Sequence, residues 1–133
     1  MIFIDAGAFL GRFLPDDYNH KSAVVFWKMI EDAGEPCFTS NFIVNEWLTL
    51  LARRKGYKIA AERAKNFYVS QVFEVLRPAL EEEWQAIALF DKFADQNVSF
   101  TDCTSFVLMR QRKIQRVFSF DRHFTLAGFR VHP

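Results

Sequence analysis

Short unbroken apolar runs alternate along this chain with longer stretches whose apolar residues return every three or four positions. The first kind reads as buried strands and the second as amphipathic helices. Ile2–Asp5 is the opening strand, and a helix follows over about 21–32 with Val24, Trp27 and Ile30 on one side and Gly34 at its end. "CFTS" (37–40) is a second strand, after which Ser40 or Asn41 starts a helix that reaches Lys55 and is closed by Gly56. Another helix, about 58–71, leads into the alternating strand "VFEVL" (72–76), stopped by Pro78. The helix expected over 81–96 turns Trp84, Ile87, Ala88 and Phe93 toward its apolar side. In "SFTD", Ser99 and Asp102 fit the Ser/Thr-x-x-Asp/Glu pattern that opens a helix, here running to about Lys113. "RVFSF" (116–120) is a fourth strand and "FRVH" (129–132) a short fifth, reached through Gly128. Strands alternating with helices predict an α/β fold on a parallel sheet.

Composition narrows the classes. The 133 residues, half of them apolar, suit a single domain spanning 1–133 with its own core, and the 16 Phe read as material for that core. A formal net charge of +1 argues against a surface coated in positive charge for nucleic acid, while leaving room for a local basic strip. Cys37 and Cys103 lack zinc or CxxC spacing and read as reduced packing thiols. No apolar run approaches the ~20 residues that cross a bilayer, and the first residues lack the features of a secretion signal. A cytoplasmic protein with no membrane partner is the expectation.

The acids carry the chemistry. In an open parallel sheet, ligands gather outside the carboxyl ends of the strands. Asp5 and Asp121 each follow a predicted strand, and Asp102 opens a helix that begins on the same edge. Glu46 lies in the first turns of the helix after the second strand. Four carboxylates from four separate stretches are thus expected to face one cleft. Two like charges ~4 Å apart repel by roughly 4 kcal/mol at an effective dielectric near 20, so such a group must take up protons or share a cation. An oxygen-only donor set suits Mg²⁺ or Mn²⁺, which can activate water and hold a phosphate oxygen for phosphodiester hydrolysis. Three of the acids also have a plainer explanation, whereas Asp5 follows a strand with no polar residue, where a turn needs no acid. Asp102 can cap its helix, Asp121 can be a turn residue, and Glu46 falls on the polar side of its helix with Asn45, Thr49 and Arg53.

Four stretches together resemble the PIN-domain nucleases, in particular the VapC-type toxins of toxin–antitoxin pairs, and the likeness extends over essentially the whole chain. "FIDAGAFL" resembles the family's opening strand with its first Asp, "TSNFIVNEWLTLL" the segment that carries its Glu, "VSFTDCTSFVLM" the third-acid motif and "VFSFDRHFTLAGF" the closing motif. The resemblance implies a three-layer α/β/α sandwich with a parallel five-stranded sheet, and RNA cleavage dependent on Mg²⁺ or Mn²⁺. It places catalytic roles on Asp5, Glu46, Asp102 and Asp121, metal ligation on Asp5, Asp102 and Asp121, and a supporting hydroxyl on Ser119. A homodimer and a cognate antitoxin are implied as partners. One departure is that Ala6 and Gly7 stand after Asp5, where the family often has a polar residue that supports the acids. His123 has no role in the shared pattern and reads as a surface histidine first and a phosphate contact second.

Arg122, directly after Asp121, is the candidate RNA phosphate contact. The basic clusters "ARRKGYK" (52–58) and "RQRKIQR" (110–116) also fit as cations closing helix C-termini, on the edge away from the acids. Phe9, Phe13, Phe42 and Tyr68 lie outside the predicted core faces and are candidates for a dimer or antitoxin surface. The alternative to an active nuclease is a PIN-like module that binds RNA or protein without cutting. An Asp-nucleophile phosphatase fits poorly, because Gly7 stands where that chemistry wants a second acid.

Overall fold

The computed structural model describes all of residues 1–133. Its five strands are β1 (Ile2–Ile4), β2 (Cys37–Ser40), β3 (Phe73–Leu76), β4 (Arg116–Phe118) and β5 (Arg130–His132). They form one sheet in the order β3-β2-β1-β4-β5, and every pairing is parallel. Seven helices connect them: α1 (Ala6–Phe13), α2 (His20–Ala33), α3 (Asn41–Lys55), α4 (Tyr57–Ser70), α5 (Leu80–Lys92), α6 (Phe100–Gln111) and α7 (His123–Leu126). The chain winds outward from β1 to β3, then returns to the other side of β1 at β4. Ligand crevices form at such a reversal of strand order, here between the carboxyl ends of β1 and β4.

Helices α1–α4 pack among themselves, and α5, α6 and α7 pack as a second group, so the sheet is the middle of three layers. Ile2, Phe3 and Ile4 are wholly buried, as a central parallel strand covered on both faces must be. Two aromatic clusters anchor the layers. Phe9 on α1 lies 5.6 Å from Trp27, 5.0 Å from Trp47 and 5.3 Å from Phe73. On the other side, Phe106 on α6 meets Phe124 of α7 at 5.2 Å and Phe129 at 5.8 Å. Cys37 and Cys103 are free and buried, as packing thiols.

The expected strands and long helices all form, and several faces are corrected. Two helices were not expected, α1 in the Ala/Gly-rich "AGAFLGRF" and the four-residue α7. Phe9 is core rather than free surface. On α2 the inward residues are Ala23, Phe26, Trp27 and Ile30, and Val24 faces outward. On α5 only Ala86 is buried, with Phe93 just beyond its end, whereas Trp84, Ile87 and Ala88 are exposed. The cause is that α5 carries two apolar stripes, and the less continuous one packs.

Candidate metal-binding active site

Asp5 is placed by the end of β1. Its backbone N–H donates to the Phe118 carbonyl at 3.1 Å, which ties it to β4, and it stands at the N-cap position of α1. Its side chain does not close that cap: Oδ2 accepts from the Ser119 hydroxyl at 2.7 Å. The same Ser119 oxygen accepts the Asp121 N–H at 3.0 Å. One buried hydroxyl therefore fixes the acids that follow the two central strands. The support that Ala6 and Gly7 cannot give comes from Ser119 and from the N-terminus of α1, whose dipole favours a negative charge.

Asp102 reaches the cleft from α6, a helix buried continuously over residues 102–109 between the sheet and its neighbours. Its N–H donates to the Ser99 side chain at 3.0 Å, so Ser99 caps the helix. The Asp102 carboxylate points into the cleft, where His123 Nδ1 stands 3.3 Å from Oδ2. Asp121 Oδ1 accepts the His123 backbone N–H at 2.9 Å and lies 3.1 Å from the same ring nitrogen. Glu46 sits at the exposed lip, on the turn of α3 that faces the other acids. All four carboxylates line one cleft of about 380 Å³, together with Leu10, Leu50, Asn97, Ser99, Phe120 and His123.

The electrostatics are those of crowded anions. Asp5 and Asp102 are each 8% exposed. Burial pushes the Asp5 carboxyl up to about 6, with the charges of Asp102 and Asp121 adding to it, while the Ser119 hydroxyl and the Ala6 N–H act the other way. Asp102 is likewise pushed up to about 6 by burial and by Asp121, opposed by His123. Glu46 is raised by partial burial and by Asp5 and Asp121. Four acids converge with a single histidine as the only basic group in the lining. Carboxylates held this way are unfavourable as ions unless a cation joins them, and hard oxygen donors suit a divalent one. The residues present fit a divalent metal.

The positions singled out in the sequence separate cleanly. Asp5, Glu46, Asp102 and Asp121 come together, and Ser119 binds two of them. Arg122 is exposed at the start of α7 and does not line the cleft. Of the cationic clusters, 110–116 is engaged elsewhere: Arg112 with Glu74 at 3.0 Å, and Arg116 with Glu35 at the opposite edge. Arg53 was expected on the far edge. It lines a shallow depression beside the cleft with Phe42, Asn45 and Thr101, sharing Glu46 and Leu50 with it. His123 is corrected from a surface histidine to a cleft residue with 30% of its side chain exposed. No spacing rule marks it, because Asp-x-His is too common a pattern to carry a signal.

A family model described as PIN domain matches residues 2–129. The 23S rRNA-specific endonuclease VapC20 of Mycobacterium tuberculosis (strain CDC 1551 / Oshkosh) is 33% identical over 133 residues, covering 97% of this chain and 95% of that protein. A VapC ribonuclease of Archaeoglobus fulgidus is 29% identical over 126 residues, 92% of this chain and 78% of the relative. The crystal structure of M. tuberculosis VapC20, described as a sarcin–ricin loop cleaving toxin, superposes with a TM-score of 0.86 at 33% identity over 100% of both chains. FitAcB from Neisseria gonorrhoeae shares the fold, with a TM-score of 0.73 at 18% identity over 100% of this chain and 97% of the other.

Proposed function

This chain belongs to the PIN-domain family, and from that membership we propose that it is a divalent-metal-dependent endoribonuclease, the toxin of a type II toxin–antitoxin pair. The observation that carries the reading is the convergence of Asp5, Glu46, Asp102 and Asp121, from four separate segments, on one cleft at the reversal of strand order.

Asp5, Asp102 and Asp121 would hold the ion, Mg²⁺ or Mn²⁺. When bound, it supplies neutralising charge for the phosphate oxygens and acidifies a coordinated water. Ser119 holds the Asp5 carboxylate by donating to Oδ2 and holds the Asp121 backbone by accepting its N–H, which keeps both residues at the mouth of the cleft. Glu46 is exposed at the lip and its carboxyl is raised, which suits a group that takes a proton from water entering the cleft. Leu10, Leu50 and Phe120 form the apolar wall that limits solvent around the reacting phosphate. Arg53 extends the site along α3 and replaces Arg122 as the better-placed phosphate contact.

The binding-only alternative draws on the missing polar residue after Asp5, and the hydrogen bond from Ser119 to Asp5 supports the active reading against it. Because M. tuberculosis VapC20 is a 23S rRNA-specific, sarcin–ricin loop cleaving toxin, a 23S rRNA sarcin–ricin stem-loop is the first RNA to try. A homodimer and an antitoxin belong to the same reading. The outward stripe of α5, Leu80, Trp84, Ile87 and Phe90, is the apolar surface assigned to a second copy. No helix is long and apolar enough to cross a membrane. The test is cleavage of that stem-loop by purified protein in Mg²⁺ or Mn²⁺. Endonucleolytic products that vanish with EDTA and with Asp5→Asn are expected, and intact RNA binding with no cleavage under any divalent ion would favour the binding module instead.

A further inference from the structure

His123 is the one titratable cleft side chain that the acids' spacing and the chemistry above leave unused. Its ring faces two carboxylates from different segments, with Nδ1 3.3 Å from Asp102 Oδ2 and 3.1 Å from Asp121 Oδ1. A ring nitrogen carries at most one proton, so it can make a full hydrogen bond to only one of two oxygens at such distances. The three donor atoms lie within 4.8 Å of one another, and Asp5 stands outside this trio with its Oδ2 accepting from Ser119. Neighbouring ligands of an octahedral ion with bonds of ~2.1 Å stand about 3 Å apart, which is the spacing of the ring nitrogen from each oxygen.

The ring is also firmly mounted. Phe124, the next residue, is wholly buried against Phe106 at 5.2 Å, and the His123 N–H is tied to Asp121 Oδ1. The exposed part of the ring lies in the wall of the cleft, where an ion from solvent can reach it.

We propose that His123 is a metal ligand, giving the cleft a mixed nitrogen–oxygen donor set with Asp102 and Asp121 that favours Mn²⁺ over Mg²⁺. This rests on the metal-dependent reading above and adds to it the identity of one donor and the ion preference that follows. Mg²⁺ is hard and keeps oxygen ligands and water, whereas imidazole nitrogen suits first-row transition ions.

The test uses the RNA-free protein loaded with Mn²⁺ and read by pulsed electron paramagnetic resonance. A nitrogen-14 coupling from a directly bound imidazole is expected, together with its loss in His123→Asn. Calorimetry of the same variant should show Mn²⁺ binding weakened about tenfold or more and Mg²⁺ binding changed by less than about threefold. If His123→Asn does not fold, the double variant His20→Asn/His132→Asn, which keeps His123 as its only histidine, must retain the coupling. Bound Mn²⁺ without nitrogen coupling, or coupling that persists in His123→Asn, overturns the assignment. If cleavage is nevertheless metal-dependent, the nuclease reading stands and only the role of His123 is lost. If no divalent ion binds at all, both fall.

Discussion

Replacing Asp5 by Asn should make the metal-free protein more stable while abolishing its activity. Asp5 is 8% exposed and its carboxyl is pushed from 3.8 up to about 6, chiefly by burial. The folded state therefore holds the Asp5 proton more tightly than the unfolded chain does. Below pH 4 both states are protonated and the site costs nothing. As the pH rises from about 4 to about 6 the unfolded carboxyl ionises while the folded one keeps its proton, and that part of the stability is lost. A shift of about two pH units corresponds to about 3 kcal/mol at pH 8. Asn carries no charge, and its side-chain oxygen can still accept from Ser119 Oγ. For a chain of this length 1 kcal/mol moves the melting temperature by roughly 3–4 °C, so Asp5→Asn should melt about 9–12 °C higher at pH 8. The assay is thermal unfolding by circular dichroism in EDTA at pH 4 and pH 8, repeated with Mg²⁺. The gap should close at pH 4, and saturating Mg²⁺ should raise the wild type but not the variant. A variant that melts no higher than wild type at pH 8 in EDTA, or a gap independent of pH, would refute the electrostatic reasoning.

Ser119→Ala removes one donor to Asp5 and one acceptor from Asp121, so it should cost about 1–3 kcal/mol in chemical denaturation and about tenfold in Mg²⁺ affinity; no loss in either would deny Ser119 its positioning role. A Cβ at Gly11 would stand 2.8 Å from the Ala23 Cβ, where α1 crosses α2, whereas one at Gly7 meets only Phe120 at 3.6 Å. Gly11→Ala should therefore lower stability by about 1–3 kcal/mol, while Gly7→Ala raises it by up to about 1 kcal/mol through helix propensity; thermal melts showing the reverse order would contradict the packing. Arg53→Ala should weaken RNA binding evenly across sequences and reduce the slope of log affinity against log salt by about 1, as measured by fluorescence anisotropy at several salt concentrations. Trp84→Glu should shift the chain to monomer in light scattering without altering its far-ultraviolet circular dichroism; an unchanged mass would place any self-association elsewhere.

How much of this was legible in the sequence varied with the physical signal. Asp5 and Asp121 could be located because acids just past buried strands fall where a parallel sheet opens its crevice. Asp102 was ambiguous, since an acid in the first turn of a helix suits both a cap and a ligand, and the structure gives the capping to Ser99. A helical wheel shows only that Glu46 is polar, not that its polar side overlooks the cleft. Ser119 came from the family resemblance, because the contact with Asp5 spans 114 residues and leaves no local trace. Helix α1 was missed since "AGAFLGRF" is apolar at almost every position and carries two Gly, which blurs a helical period. Helix α7 is too short to show one at all. The stripe Leu80–Trp84–Ile87 is the more regular of the two on α5, and periodicity alone cannot tell a face that packs inside the molecule from one left for a partner.

The most direct measurement is the anomalous scattering of Mn²⁺ soaked into crystals of the wild-type protein near neutral pH. A strong peak in the cleft is expected, within coordination distance of oxygens from Asp5, Asp102 and Asp121. An ordered cleft with no peak at saturating Mn²⁺, or carboxylates turned away from one another around a peak bound elsewhere, would contradict it.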